Sequence, residues 1–170
     1  MESSEEELNV ALAAVTAVGQ ITRHVQQKLN AIRQHTKDDR SPVTVADYAA
    51  QAVIASRLAT ALDAPLLVGE EDADTLRASG NESLRDAVVD ACQAAWPGAT
   101  ASDVLDAIDL GNHDASSSRY WTLDPIDGTK GFLRGGQYAV SLALIEHGEV
   151  QLGVLGCPNM STDFAHPFTQ

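Results

Sequence analysis

Two runs of strand-forming residues, Tyr138–Glu146 and Glu149–Gly156, are joined by only two residues, His147-Gly148. So short a link between extended runs predicts an antiparallel hairpin. The rest of the chain has to be built around it. Pro65-Leu-Leu-Val-Gly69, apolar and bounded by Pro and Gly, reads as a buried strand, and Tyr120–Asp124 as another. Leu8, Leu12, Val15, Val18, Thr22, Val25, Leu29 and Ile32 recur at three- and four-residue steps, one face of a long amphipathic helix. The polar stretch Gln34–Pro42 predicts a loop. A second helix is expected from about Asp47 to Leu62, with Tyr48, Ala52, Ile54, Ala55 and Leu58 inward. Thr44 and Asp47 ahead of it have capping-box spacing, with Asp in the Glu/Gln position. Further helices fit Ser83–Ala95 and Ser102–Leu110, Asn112–Arg119 is a polar loop, and the tail from Pro158 is irregular. Helices come first, then strands mixed with helices. The expectation is one α/β (α+β layered) unit over residues 1–170, its helices packed on a mixed or a mostly antiparallel sheet.

Two of the strand-like runs break directly into acidic residues. Val68-Gly leads into Glu70-Glu71-Asp72, and Leu123 into Asp124-Pro-Ile-Asp127-Gly128-Thr129. A strand that is apolar until its last residue and then acidic sets carboxylates at the rim of a sheet, where open α/β folds place ligands. Proline at 125 fixes φ and has no N–H to donate, so the ladder should stop and the chain turn there. Such a turn lets Asp124, Asp127 and the Ile126 carbonyl point to one side. Three hard oxygens suit Mg²⁺, which takes few protein ligands and keeps waters and substrate phosphate as the rest of its shell. Gly128 allows close approach of the backbone to a phosphate, and Thr129 opens a short helical segment whose N–H groups favour an anion. Each cluster alone has a plainer reading, as a surface turn or a solvated acidic stretch, and Asp47 alone reads as a capping residue. Their joint occurrence and order set them apart.

Other chemistries lack their signatures. No Gly-x-Ser-x-Gly, Gly-x-x-x-x-Gly-Lys or Gly-x-Gly-x-x-Gly is present. The five histidines are scattered without His-x-x-x-His or His–Cys pairing, which argues against transition-metal ligation. The balance of 24 acidic against 11 basic residues, net −13, argues against nucleic acid and anionic membrane as partners. The same field repels a phosphorylated metabolite, so a phosphate-binding site here needs cations. Cys92 and Cys157 read as free thiols in a reducing compartment. The acidic N-terminus has no apolar h-region, and no apolar run approaches membrane-spanning length. A cytoplasmic location is expected.

Trp121-Thr-Leu-Asp-Pro-Ile-Asp-Gly-Thr129 resembles the signature of the inositol-monophosphatase-like, Mg²⁺-dependent, Li⁺-sensitive phosphatases. Val68-Gly-Glu-Glu71 is similar to their upstream acidic motif, and Ser41-Pro-Val-Thr-Val-Ala-Asp47 to their first motif, in the family's order. The flanks Thr129-Lys-Gly-Phe-Leu-Arg-Gly135, Gln137–Ile145, Gln151–Asn159 and Asp47-Tyr-Ala-Ala-Gln51 look like the fungal and plant 3'(2'),5'-bisphosphate nucleotidases. Inositol monophosphatases usually continue the signature with Thr-Asn-Phe instead.

The resemblance implies the inositol-monophosphatase-like fold and hydrolysis of 3'-phosphoadenosine 5'-phosphate to AMP and phosphate, with an inositol phosphate as the alternative substrate. It implies Glu70, Asp124, the Ile126 carbonyl and Asp127 as Mg²⁺ ligands, with Glu71 as an outer or weaker one. Asp47 and Thr129 would form the water-activating pair, and Gly128–Thr129 would receive the scissile phosphate. The family's downstream Trp-Asp-x-Ala-x-Gly motif, whose Asp completes the metal site, has no counterpart here. The chain is therefore expected to be the family's N-terminal half, with little activity alone; the alternative is a catalytically dead fragment that acts only through interactions with partners. Self-association through an uncovered sheet edge is expected.

Overall fold

The structure, a computed structural model, describes residues 2–33 and 42–160 of the 170-residue chain. The chain runs α1 (Glu2–Arg33), α2 (Pro42–Ala61), β1 (Leu67–Val68), α3 (Asp74–Arg77), α4 (Glu82–Cys92), α5 (Ala101–Asp109), β2 (Arg119–Asp127), α6 (Thr129–Leu133), β3 (Ala139–Glu146) and β4 (Glu149–Gly156). The loop predicted after the first helix, the residue Ser41 and the tail beyond 160 lie outside the described residues, as do the side chains of Leu29 and Ile32.

The hairpin forms as predicted. His147 and Gly148 both take positive φ, 51° and 81°, the geometry of a two-residue type I′ turn, which glycine tolerates without steric cost. β3 and β4 pair antiparallel, β2 adds antiparallel to β3, and β1 adds parallel to β2. The sheet order is β1-β2-β3-β4, mixed and mostly antiparallel. Trp121, Leu123, Val140, Leu142, Leu144 and Val154 face the core with α1 and α2. On the opposite face Thr122, Asp124, Ser141 and Ala143 are half-buried. Val150 and Leu155 of the edge strand β4 are 65% and 69% exposed.

α2 is the centre of the layered stack. It packs against α1, β2, α4 and α5. From Tyr48 to Ala55 every residue is buried, as the all-round apolar composition of this helix requires. The residues expected to face inward do so, but the buried surface wraps the whole helix. On α1 the buried seam is Ala11, Ala14, Val15, Val18, Ile21 and Val25, whereas Leu8 and Leu12 are 36% and 46% exposed. Helical period alone placed those leucines inward. α2 presents an alanine-rich surface, and the small residues of α1 bury more completely than its leucines.

Other boundaries moved for identifiable reasons. α2 begins at Pro42 rather than near Asp47, since proline's fixed φ suits the first helical position. Thr44 and Asp47 therefore lie within the helix, and the predicted capping box is not formed there. A capping box does form at Thr100 and Asp103, opening α5. The strand expected over Pro65–Gly69 shrinks to Leu67–Val68. β2 continues past Pro125 to Asp127 instead of ending at Asp124, and the proline's effect appears as a bulge.

Candidate active site

β1 and β2 run parallel, so their C-terminal ends lie on the same rim of the sheet. This places the segment beginning at Glu70 beside the end of β2. The ladder between β2 and β3 pairs Asp124 with Ser141 and resumes at Asp127 with Ala139. Two residues, Pro125 and Ile126, thus stand opposite one, Val140. In a regular strand, side chains three apart point to opposite faces. The extra residue of the bulge cancels that alternation, so Asp124 and Asp127 emerge on the same face. The Ile126 N–H donates to the Asp124 carboxylate at 3.1 Å, which closes the turn around the proline.

Gly128 takes φ +92° as the residue preceding α6, a left-handed conformation that L-residues with a side chain rarely adopt. The Thr129 hydroxyl donates to the Ile126 carbonyl at 3.3 Å. Asp47 lies in α2, and α6 packs against α2. The two elements expected to carry a water-activating pair are therefore neighbours, although Thr129's hydroxyl is directed to Ile126 in this arrangement.

Electrostatics show which carboxylates share the rim. Asp47 is pushed up to about 8, first by burial and then by the negative charges of Glu71, Glu70 and Asp124. Burial also raises Glu70, helped by Asp124. Asp124 is raised by burial and by Asp127, against a lowering hydrogen bond from the Ile126 N–H. Glu71 is raised by burial, partly offset by a hydrogen bond from the Tyr48 hydroxyl, and raised further by Glu70 and Asp72. Carboxylates from three separate parts of the chain thus repel one another, and among the described residues no cationic side chain figures among the causes.

An oxygen-only set of this kind has the chemistry of a hard divalent cation. Among the described residues, no three His, Cys, Asp or Glu side chains are already gathered as a ligand set. Mg²⁺ does not need such a cage, because waters and substrate fill most of its octahedron. The buried Ser141 hydroxyl, on the residue paired across the ladder from Asp124, has no hydrogen-bond partner among the described residues.

The repulsion has a measurable consequence without metal. A carboxyl whose folded pKa is raised binds its proton more tightly in the native state. Its contribution to stability is complete below the unfolded value near 4 and is lost as pH rises through about 8. Glu70, Glu71 and Asp124 act in the same direction. In EDTA the melting temperature should fall between pH 5 and 8.5, and saturating Mg²⁺ should reverse part of the fall. A metal-free profile that is flat across this window would mean that the carboxylates are not clustered in solution.

Two residues of the site were not foreseen as participants. Tyr48 contacts Glu71 through its hydroxyl, and Gln51 binds the backbone of the Glu70–Glu71 segment. Both were visible only as flanks of Asp47. The available signal was the lone glutamine in the otherwise apolar run Ala49–Ala55, a polar residue in a helix that has to be buried.

Helices layered on a mixed sheet, with carboxylates converging where two parallel strands end, define the class: an α/β protein with an acidic rim. The chain belongs to the inositol monophosphatase family, whose model matches residues 3–167. It is 41% identical over 180 residues to a 3'(2'),5'-bisphosphate nucleotidase of Schizosaccharomyces pombe, covering 98% of this chain and 51% of that one. It is 43% identical over 167 residues to 3'(2'),5'-bisphosphate nucleotidase 1 of Arabidopsis thaliana, covering 92% and 47%. The chain spans about half the length of the curated relatives it matches. Its fold matches that of CysQ from Bacteroides thetaiotaomicron, a bacterial member of the family, with a TM-score of 0.52 and 21% identity over 89% of this chain and 42% of that one. Among the described residues, no helix is long and apolar enough to cross a membrane.

Proposed function

We propose that this chain carries the metal-binding and water-activating residues of a Mg²⁺-dependent phosphomonoesterase. Its substrate is 3'-phosphoadenosine 5'-phosphate, cleaved to AMP and phosphate. The observation that carries the reading is the convergence of Asp47, Glu70, Glu71 and Asp124 on one rim, their charges raising one another's pKa values. The names of the relatives support the substrate.

Glu70, Asp124, Asp127 and the Ile126 carbonyl would hold Mg²⁺. Bound there, Mg²⁺ supplies the positive charge that offsets the phosphate dianion and acidifies the attacking water. The chain's own groups do the rest. The Gly128–Thr129 backbone receives the scissile phosphate at the start of α6. Thr129 is too weak a base to keep a proton, so its hydroxyl turns from Ile126 and relays the proton to Asp47. With cations nearby, Asp47's raised affinity for a proton falls, leaving a carboxylate that can accept one. Attack on phosphorus then depends mainly on positioning and charge.

An inositol phosphate is the second reading, supported by the family model that the chain matches. Phosphate release by a protein of the relatives' full length separates the two. The expected result is a kcat/KM for 3'-phosphoadenosine 5'-phosphate at least about 10-fold above that for inositol 1-phosphate. It should be dependent on Mg²⁺ and inhibited by Li⁺. Equal turnover of both would remove the nucleotide assignment, and full activity in EDTA would remove the metal.

A further inference from the structure

Gln51 lies one helical turn beyond Asp47 and is completely buried. Its side-chain carbonyl accepts from the Glu70 N–H at 3.0 Å and from the Glu71 N–H at 2.9 Å. Its NH₂ group donates to the Glu71 carbonyl at 2.6 Å and to the Ile108 carbonyl at 3.0 Å. Every hydrogen-bonding capacity of the amide is used. The backbone has been cleared to admit it: a Cβ at Gly69 or at Gly111 would come within 2.5 Å of the amide. A buried primary amide is costly unless satisfied, and Gln51 is satisfied by the segment that carries Glu70 and Glu71.

A plain structural reading is that the glutamine satisfies loop backbone inside the core. Its placement goes further. Asp47 and Gln51 share one face of α2, because residues four apart lie one above the other. One rigid element therefore presents a carboxylate and also grips the backbone of the two carboxylates that repel it. Left to their charges, these groups would move apart. We propose that Gln51 is a positioning residue that holds the Glu70–Glu71 segment at a set distance from Asp47 and so preorganises the cation site. This rests on the metal reading above.

The test uses a protein of the relatives' full length with Mn²⁺ as probe, free ion being followed by electron paramagnetic resonance. Q51M keeps the length of the side chain and removes all four hydrogen bonds. L58A, in the buried part of the same helix, is the control for general destabilisation. Q51M is expected to weaken Mn²⁺ binding by about 10- to 100-fold, the scale for loss of an outer partner of a metal ligand. L58A should melt earlier with Mn²⁺ affinity unchanged. Unchanged affinity in Q51M, or equal loss in both variants, overturns the proposal.

Hydrogen exchange on the unsubstituted chain gives a second readout should Q51M not fold. The Glu70 and Glu71 amides should be protected, and the Gln51 NH₂ resonances should shift on adding Mn²⁺'s diamagnetic counterpart Mg²⁺. Fast exchange of both amides overturns the clamp. If an unsubstituted protein of the relatives' full length binds no Mn²⁺ while both amides are protected, the metal reading fails and the clamp stands as structure alone, which also overturns its positioning role.

Discussion

Replacing Asp124 with Asn in a protein of the relatives' full length is expected to lower Mg²⁺-dependent kcat/KM by at least about 10²-fold, while leaving the metal-free protein as stable as the parent or more so. The first part follows from charge. Asn keeps the size of the side chain, and its oxygen can still accept from the Ile126 N–H, so the turn around Pro125 should survive. On the metal reading proposed above, what is lost is an anionic ligand, and even outer-shell changes at metal sites cost about 10- to 100-fold. The second part has the opposite sign for the same reason. Asp124 is raised by burial and by Asp127, which means that its charge is unfavourable in the native state. Removing it relieves Glu70 and Asp47 together. Thermal melting in EDTA at pH 8, beside phosphate release at saturating Mg²⁺, tests both. A variant that is inactive and also strongly destabilised would indicate a structural role for Asp124. One that remains active would exclude it as a ligand.

The 170-residue chain by itself is expected to release phosphate at least about 10²-fold more slowly than a full-length relative and to associate with itself. The resemblance implies a further metal-site carboxylate from the family's Trp-Asp-x-Ala-x-Gly motif, which these 170 residues do not contain, so on the metal reading proposed above the set here is expected to bind Mg²⁺ more weakly. Mg²⁺ gives up its waters reluctantly, and such a site competes poorly with solvent. Misplacement of substrate by 1 Å alone can cost about 10² in rate. Association has a separate origin. Among the described residues β4 is an edge strand, and its exposed Val150 and Leu155 lie on the sheet face opposite α1 and α2. An open apolar edge invites pairing with another strand, and net charge opposes this without covering the edge. Sizing chromatography should show species larger than the monomer, and V150K with L155K should restore the monomer. A monodisperse chain with the activity of a full-length relative would contradict both expectations.

Local interactions decided what could be read from the sequence. The β3–β4 hairpin was legible because two residues between two alternating runs permit little else. α1, α4 and α5 were legible because a 3.6-residue period survives in any context that buries one face. The acidic residues at the strand ends were legible as a pair of motifs. Their meeting was not, since no local signal says that β1 and β2 lie side by side and parallel.

Two predictions failed because they applied a local rule where tertiary packing had the larger effect. Thr44 and Asp47 had capping-box spacing, but the helix starts at Pro42. Pro125 was expected to end its strand, but β3 holds β2 on both sides of it. The failed strand end proved to be the arrangement that matters. One extra residue in the bulge turns Asp124 and Asp127 to the same face, which a regular period of two would have forbidden. The sequence by itself determined which residues carry charge and which segments are helical or extended. Only the tertiary structure decided which charges meet, because the parallel pairing, the bulge and the buried Gln51 act between residues far apart along the chain.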